Sequence, residues 1–335
     1  MRIATYNIEW MNSLFADDGS LWNDDQRASR YGVSRAEQTA ALITVFQALD
    51  ADAVLVVEAP DDSNSRSTVP ALETFADVAG LRARRAIIGF ANDTQQEIAL
   101  LYDPDVLRVR HDPQGSVDAP RFDAGFSIDL DIDATADDVV FSKPPLELAV
   151  ETAGGTSFRL IGAHLKSKAP HGARSRDEVM RISIANRRKQ LAQAIWLRRR
   201  IDAHLAAGDA LMVLGDLNDG PGLDEYEHLF GRSSVEILLG SDPAARLFDP
   251  HADIALRPGR LGVAPTTARF WIRPEKRYLQ ALLDYIMVSQ DLTERPSRWR
   301  IWHPLDDPDC WSSPRLRDAL VAASDHFPVS LDIDI

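Results

Sequence analysis

His164 ends the apolar run 158–163, and Lys166 and Lys168 follow it within four residues. An imidazole moves protons near neutral pH and an ammonium group holds anions, so this spacing brings a proton carrier and an anion clamp to one strand end. Other apolar runs end in kindred groups. Residues 2–6 lead into Asn7 and Glu9, residues 53–57 into Glu58, and residues 210–215 into Asp216, Asn218 and Asp219. Residues 282–288 carry Asp284 inside the run, and the segment 324–329 supplies Asp325 and His326. Carboxylates and carboxamides hold hard cations or orient water, and histidines exchange protons. One polar strand end is ordinary; several of this composition describe a site assembled from distant parts of the chain.

To converge, these groups must stand at strand ends of an α/β fold, where such folds keep their chemistry. The runs are short, apolar and bounded by Gly, Pro, Asp or Ser, which predicts strands. After the first of them, residues 13–34 read as a long polar loop. Ser34 and Glu37 form a capping box for a helix over 35–49, whose Ala41, Val45 and Leu49 share a face. Further helices are expected at 70–79 and 176–206, and strands near 83–88, 97–102 and 106–110. A hairpin is expected at 146–152 and 157–163 around Gly154-Gly155, a strand pair around 267–271 and 282–288, and a last strand at 329–333. The acid-rich segment 111–143 reads as short strands and turns with a solvated face. There is no repeat or low-complexity linker, and the site-bearing ends run from Asn7 to His326. Residues 1–335 are therefore read as one domain, because a boundary in the middle would cut the site in half.

The 335 residues are 45% hydrophobic and 26% charged, the proportions of a soluble globular protein. A formal charge of −14 argues against a protein that coats nucleic acid or a membrane with its whole surface, and leaves any single groove open. The lone cysteine, Cys310, excludes an internal disulfide and a thiolate zinc cluster. His-Glu-x-x-His, a Gly-rich loop ending in Gly-Lys-Ser/Thr and the spacing of a dinucleotide turn are all missing, which sets aside zinc hydrolase, P-loop and Rossmann readings. No apolar stretch approaches the ~20 residues of a membrane span, and no basic, apolar leader precedes the first strand. The expectation is a cytoplasmic protein with no membrane partner.

Gly215-Asp216-Leu217-Asn218 after an apolar strand, Leu283-Asp284-Tyr285 inside one, and Ser324-Asp325-His326-Phe327-Pro328-Val329 near the C-terminus are the specific motifs. Together with Tyr6-Asn7 and Glu58, and in this order, they resemble the endonuclease/exonuclease/phosphatase superfamily. Its members are metal-dependent phosphoesterases and include deoxyribonuclease I, abasic-site endonucleases, neutral sphingomyelinases and inositol-polyphosphate phosphatases. The resemblance implies a four-layer α/β sandwich, two central mixed β-sheets flanked by helices, with the site at their common edge. It implies Mg²⁺, or Mn²⁺, held by Glu58 with Asn7 and Glu9 beside it and Asp325 as a second metal-site acid. By the same resemblance Asp216 orients or deprotonates the attacking water and Asn218 donates to a phosphate oxygen. His326, oriented by Asp284, contacts the phosphate or activates the water, and His164 protonates the leaving oxygen or stabilises its charge. The family's usual glutamine before the metal-binding glutamate is Val57 here.

Residues 166–200 are strongly basic against the acidic average of the chain. Lys166, Lys168, Arg174 and Arg176 follow directly on His164 and are read as substrate-binding cations, because a polyanion needs positive charge near the cleavage point. Arg198, Arg199 and Arg200 read instead as the polar side of a helix whose Ile184, Leu191, Ile195 and Trp196 pack inward. Phe270, Trp271, Trp299, Trp302 and Trp311 are candidates either for base stacking or for core. The function expected is a divalent-metal-dependent nuclease hydrolysing phosphodiester bonds in DNA, possibly RNA, by in-line attack of an activated water. The alternative is a phosphatase or phosphodiesterase for a lipid head group or a small phosphoester. A non-catalytic binding module of the same fold has no need for Glu58, Asp216, Asn218, Asp284, Asp325 and His326 together.

Overall fold

Two mixed sheets dominate the computed structural model, which describes residues 1–130, 136–170, 172–221, 231–257, 263–272 and 276–335. The first has six strands in the order β14-β15-β1-β2-β4-β3: β1 (Arg2–Asn7), β2 (Ala53–Ala59), β3 (Arg85–Ile88), β4 (Glu97–Tyr102), β14 (Ser297–Ile301) and β15 (Val329–Ile333). The second has five in the order β13-β10-β9-β8-β5: β5 (Leu107–His111), β8 (Leu146–Thr152), β9 (Ser157–His164), β10 (Leu211–Asp216) and β13 (Asp284–Val288). Two-stranded ribbons are formed by β6 (Phe126–Asp129) with β7 (Ala136–Val139) and by β11 (Ala268–Ile272) with β12 (Arg277–Ala281). The helices are α1 (Arg35–Leu49), α2 (Thr68–Ala79), α3 (Arg176–Ala206), α4 (Ser234–Leu239), α5 (Pro250–Leu256), α6 (Gln290–Thr293), α7 (Pro308–Ser312) and α8 (Pro314–Ala323).

The chain order explains where the sheets end. Each sheet contains one parallel pair, β1 with β2 and β9 with β10, and all other neighbours are antiparallel. Parallel strands need a crossover, supplied by α1 in the first sheet and α3 in the second. A pair joined this way ends both strands at one edge, so Asn7 and Glu58 share an edge, as do His164 and Asp216. α1 begins with the capping box of Ser34 and Glu37, and Ser175 caps α3 by accepting the Glu178 N–H.

Burial on both faces makes β2 and β10 almost continuously apolar. The inner faces pack on each other through Ile3, Leu55, Val57 and Leu100 against Leu148, Leu160, Met212, Leu214 and Ile286. α1, α2 and α8 cover the outer face of the first sheet, and α3 and α4 that of the second. The layers are those of a four-layer α/β sandwich. At Gly162 a Cβ would run into the Leu55 side chain of the opposite sheet, so that glycine lets the two sheets nest. Among the described residues no helix is long and apolar enough to cross a membrane.

Three elements differ from the expectation. β11 pairs with β12, not with the strand at 284–288, which joins β10 instead; the half-polar sequence of β12 hides it as a loop. The edge strand β14 alternates Arg, Trp and Arg and is likewise quiet in the sequence. Segment 111–143 also contributes core: Phe122, Phe126 and Phe141 surround Trp196 of α3. That packing anchors the turn that follows Phe141.

Candidate active site

Strand register puts three of the expected residues in one row. Asp216 at the end of β10 lies beside His164 of β9 on one side and Asp284 of β13 on the other. Side chains of directly paired residues stand on the same face of a sheet, so the three converge without help from any loop. All three are buried. Asn7, ending β1 of the other sheet, donates Nδ2–H to Asp216 Oδ2 at 2.9 Å and thereby joins the sheets.

His326 enters from the segment before β15. Its Nδ1 lies 2.8 Å from Asp284 Oδ2, and its Nε2 is 3.9 Å from Asp216 Oδ2. Burial opposes the charged ring, yet the Asp284 and Asp216 carboxylates outweigh it and hold His326 well above its ordinary value. The segment is locked in place by Ser324, whose hydroxyl donates to the Asn7 carbonyl (2.8 Å) and accepts the His326 N–H (3.1 Å). Thr267 does the same for Asp284, its Oγ1 accepting the N–H groups of Leu283 (2.9 Å) and Asp284 (3.0 Å).

Asp216 is the hub. Its Oδ1 accepts the Asn218 backbone N–H (2.7 Å), and Oδ2 faces Asn218 Nδ2 (3.2 Å) and His164 Nε2 (3.7 Å) as well as Asn7. Burial raises its carboxyl above the usual range, with His326 pulling the other way. Asn218 has φ 50°, a left-handed conformation that asparagine tolerates better than most residues. From there its amide also donates to the Leu165 carbonyl at 3.1 Å.

On the first sheet, Glu58 sits in a bulge of β2 between Val57 and Ala59, with φ 59°. A bulge re-aims a side chain, and here Glu58 Oε2 accepts the Trp10 N–H at 2.9 Å. Burial raises its carboxyl, countered by Lys143 and His326. Glu9 is engaged differently. Its Oε2 takes Arg30 Nη1 at 2.8 Å and the Asp325 N–H at 3.0 Å, so it braces the Asp325 backbone. Burial and the Asp325 charge raise Glu9, against Arg30.

Lys143 is the site residue that sequence reasoning missed. It follows Phe141 by two residues, in Ser-Lys-Pro-Pro, and a lysine in a turn after an acid-rich stretch carries no signal. Its ammonium is 3.2 Å from both His164 ring nitrogens. Equal distances place it over the ring face, since an in-plane approach would collide with the carbon between the nitrogens. Burial and the cations Lys143, His326 and Lys166 hold His164 well below its ordinary value, so the ring is neutral. Burial also brings Lys143 down to about 8, against Glu58 and Asp216.

The four basic residues after His164 divide. Lys166 is half-buried beside the site, and burial and Lys189 lower it. Lys168 instead bonds the buried Asp219, which also takes Arg187 Nη1 (2.8 Å) and the Ser234 N–H (2.7 Å). Arg174 and Arg176 are exposed at the start of α3. Arg198 and Arg200 serve packing, donating to the carbonyls of Leu238 and Ala245 and of Gln114 and Ala119. Of the aromatic candidates, Trp302 is buried and Trp299 partly buried, whereas Trp311 and Trp271 are exposed.

Asp216, Asp284 and His326 each bring one ligand atom within 4.8 Å of the others. With His326 Nδ1 engaged by Asp284 Oδ2 at 2.8 Å, this trio reads as a hydrogen-bonded relay. The acids at the edge of the first sheet are the other candidates for a divalent ion. Glu58, Asn7, Glu9 and Asp325 offer only oxygen, the donor set of a hard cation. Burial raises the carboxyls of Glu58 and of Glu9, the latter despite its ion pair with Arg30, so a divalent ion at this end would favour their charged forms.

The sequence matches the family model described as "Endonuclease/Exonuclease/phosphatase family" over residues 4–326. No curated protein matches. Among solved structures, D. rerio TDP2 complexed with single strand DNA product is similar at 12% identity and TM-score 0.50, covering 100% of this chain and 99% of that one. Humanized D. rerio TDP2 gives 11% identity and TM-score 0.50 with the same coverage. The endonuclease domain of TRAS1, a telomere-specific non-LTR retrotransposon, gives 14% identity and TM-score 0.48 over 100% of this chain and 98% of that one.

Proposed function

Since the chain belongs to the endonuclease/exonuclease/phosphatase family, we propose that it is a divalent-metal-dependent nuclease that hydrolyses phosphodiester bonds in DNA by in-line attack of an activated water. The observation that carries this reading is the convergence of Asp216, Asp284 and His326 within 4.8 Å, with the Lys143 cation over His164 beside them. Glu58 is the principal ligand proposed for Mg²⁺ or Mn²⁺, with Asn7, Asp325 and Glu9 around it; when bound, the ion stabilises charge on the phosphoryl oxygens.

Asp216 takes the proton of the attacking water, because burial has raised its carboxyl toward neutrality and Asn7 and Asn218 fix its orientation. The charged His326, steadied by Asp284, donates Nε2–H to the scissile phosphate. Asn218 turns the amide N–H that otherwise bonds the Leu165 carbonyl toward a phosphate oxygen. On the leaving side, neutral His164 donates a hydrogen bond to the departing oxygen while Lys143 supplies the positive charge that a neutral ring lacks. Lys166 and, further out, Arg174 and Arg176 hold the flanking phosphates; Lys168 supports that wall through Asp219. The D. rerio neighbour's DNA product makes nucleic acid a ligand class that this fold accommodates.

The test is turnover of plasmid DNA, linear DNA, RNA, bis-nitrophenyl phosphate and phospholipids with Mg²⁺ or Mn²⁺. The expected result is cleavage of a nucleic acid and of the small diester. Cleavage of lipids or monoesters alone would replace the nuclease reading by the phosphatase one.

A further inference from the structure

The ribbon β11–β12 is fastened to the reaction centre at its base. Ala268 forms a bridge with His326, and Arg269 donates its N–H to the Asp325 carbonyl at 2.7 Å. The Phe270 ring stands edge-on to the His326 imidazole, centroids 5.6 Å apart. Side chains alternate along a strand, so Phe270 and its partner Leu279 lie on the face toward His326. The opposite face presents Arg269, Trp271, Tyr278 and Gln280.

On that face Trp271 and Tyr278 are directly paired, with ring centroids 4.9 Å apart. They are 47% and 48% exposed, and the Arg269 guanidinium lies 3.5 Å from the Tyr278 centroid. A cross-strand aromatic pair steadies a two-stranded ribbon only slightly, and it leaves both rings half in water for a ligand to cover. The charged residues described on the ribbon, Arg269, Lys276 and Arg277, are all basic in a chain of net charge −14. On that face Arg269 and Gln280 flank the rings and limit the continuous apolar patch that a lipid surface would need. Flat π faces beside cations suit an unpaired strand of nucleic acid, whose bases are free to stack. Trp271 lies three residues beyond Ala268, about 10 Å along the strand, within reach of a base adjoining the cleaved bond.

We propose that Trp271 and Tyr278 form a stacking platform for an unpaired base flanking the cleaved phosphodiester, with Arg269 holding Tyr278 in position. The platform rests on the nuclease reading above and deepens it: the preferred substrate is single-stranded.

The test compares kcat/KM on a single-stranded oligonucleotide, on the same strand with abasic residues flanking the cleaved bond, and on bis-nitrophenyl phosphate. Trp271→Ala and Tyr278→Ala are expected to lose about tenfold or more on the oligonucleotide beyond any loss on the small diester. Trp271→Phe should recover most of the difference, and the abasic strand should erase it. Equal losses on both substrates, or none on either, would overturn the platform while leaving the nuclease reading intact. So would Trp271→Ala losing affinity for phosphatidylserine vesicles with unchanged oligonucleotide kinetics. A wild-type protein that cleaves the small diester and no oligonucleotide would instead remove the nuclease reading, and the platform with it.

Discussion

Lys143 shows how far a single side chain escapes a reading by motif. Asn7, Glu58, Asp216, Asp284 and His326 stand at strand ends or in short motifs, where residue type and position coincide, and they meet in space. Lys143 has neither; its place is set by Phe141 packing on Trp196 (centroids 4.9 Å), a contact between segments more than fifty residues apart. Burial sets its working range as well. With the ammonium lowered to about 8, it is charged below that pH and neutral above it, so the proposed stabilisation of the leaving oxygen fades as pH rises through about 8. Turnover of bis-nitrophenyl phosphate should show an alkaline limb there. Lys143→Arg, charged at every accessible pH, should move the limb upward, and Lys143→Met should lower kcat/KM about a hundredfold. Superimposable pH profiles for wild type and Lys143→Arg would exclude the role.

At the scale of elements, strand ends matter more than strand lengths. The helices over 35–49 and 176–206 and the hairpin strands were legible because caps, glycines and apolar periodicity agree there. β12 and β14 were not, since an exposed or edge strand needs no apolar run. The edge that carries Asp216 depends on Gly215, at φ +134°, where a Cβ would overlap the Ala163 backbone carbonyl of β9. A backbone atom in the row that positions His164 cannot step aside. Gly215→Ala should therefore cost at least ~2 kcal/mol in urea unfolding. Gly162→Ala meets only side chains, Leu55 and less tightly Ile98, and should cost about 1 kcal/mol. Equal costs would mean that the β9–β10 register tolerates repacking and does not hold the row.

At the scale of the whole molecule, the site exists because two parallel-pair units, one in each sheet, end at the same place. Asn7 of the first sheet touches Asp216 of the second across 209 residues of sequence. That closure is legible in part from the order of the motifs, whereas the partition of the basic residues is not: Lys168 and Arg187 turn inward to Asp219, and only the packed structure distinguishes them from Lys166. Lys143 and Lys166 thus bring positive charge to a buried cluster of acids in an acidic chain. In the proposed mechanism this cluster hydrolyses phosphodiesters with a divalent ion and with Asp216 as base. The most direct measurement is cleavage of DNA by wild type and Asp216→Asn, each with Mg²⁺ and with EDTA, with thermal unfolding of the variant recorded alongside. Wild type is expected to cleave with Mg²⁺ and not with EDTA, and a folded Asp216→Asn to lose at least about a thousandfold. Cleavage that survives EDTA, or near-normal rates in Asp216→Asn, would contradict that mechanism.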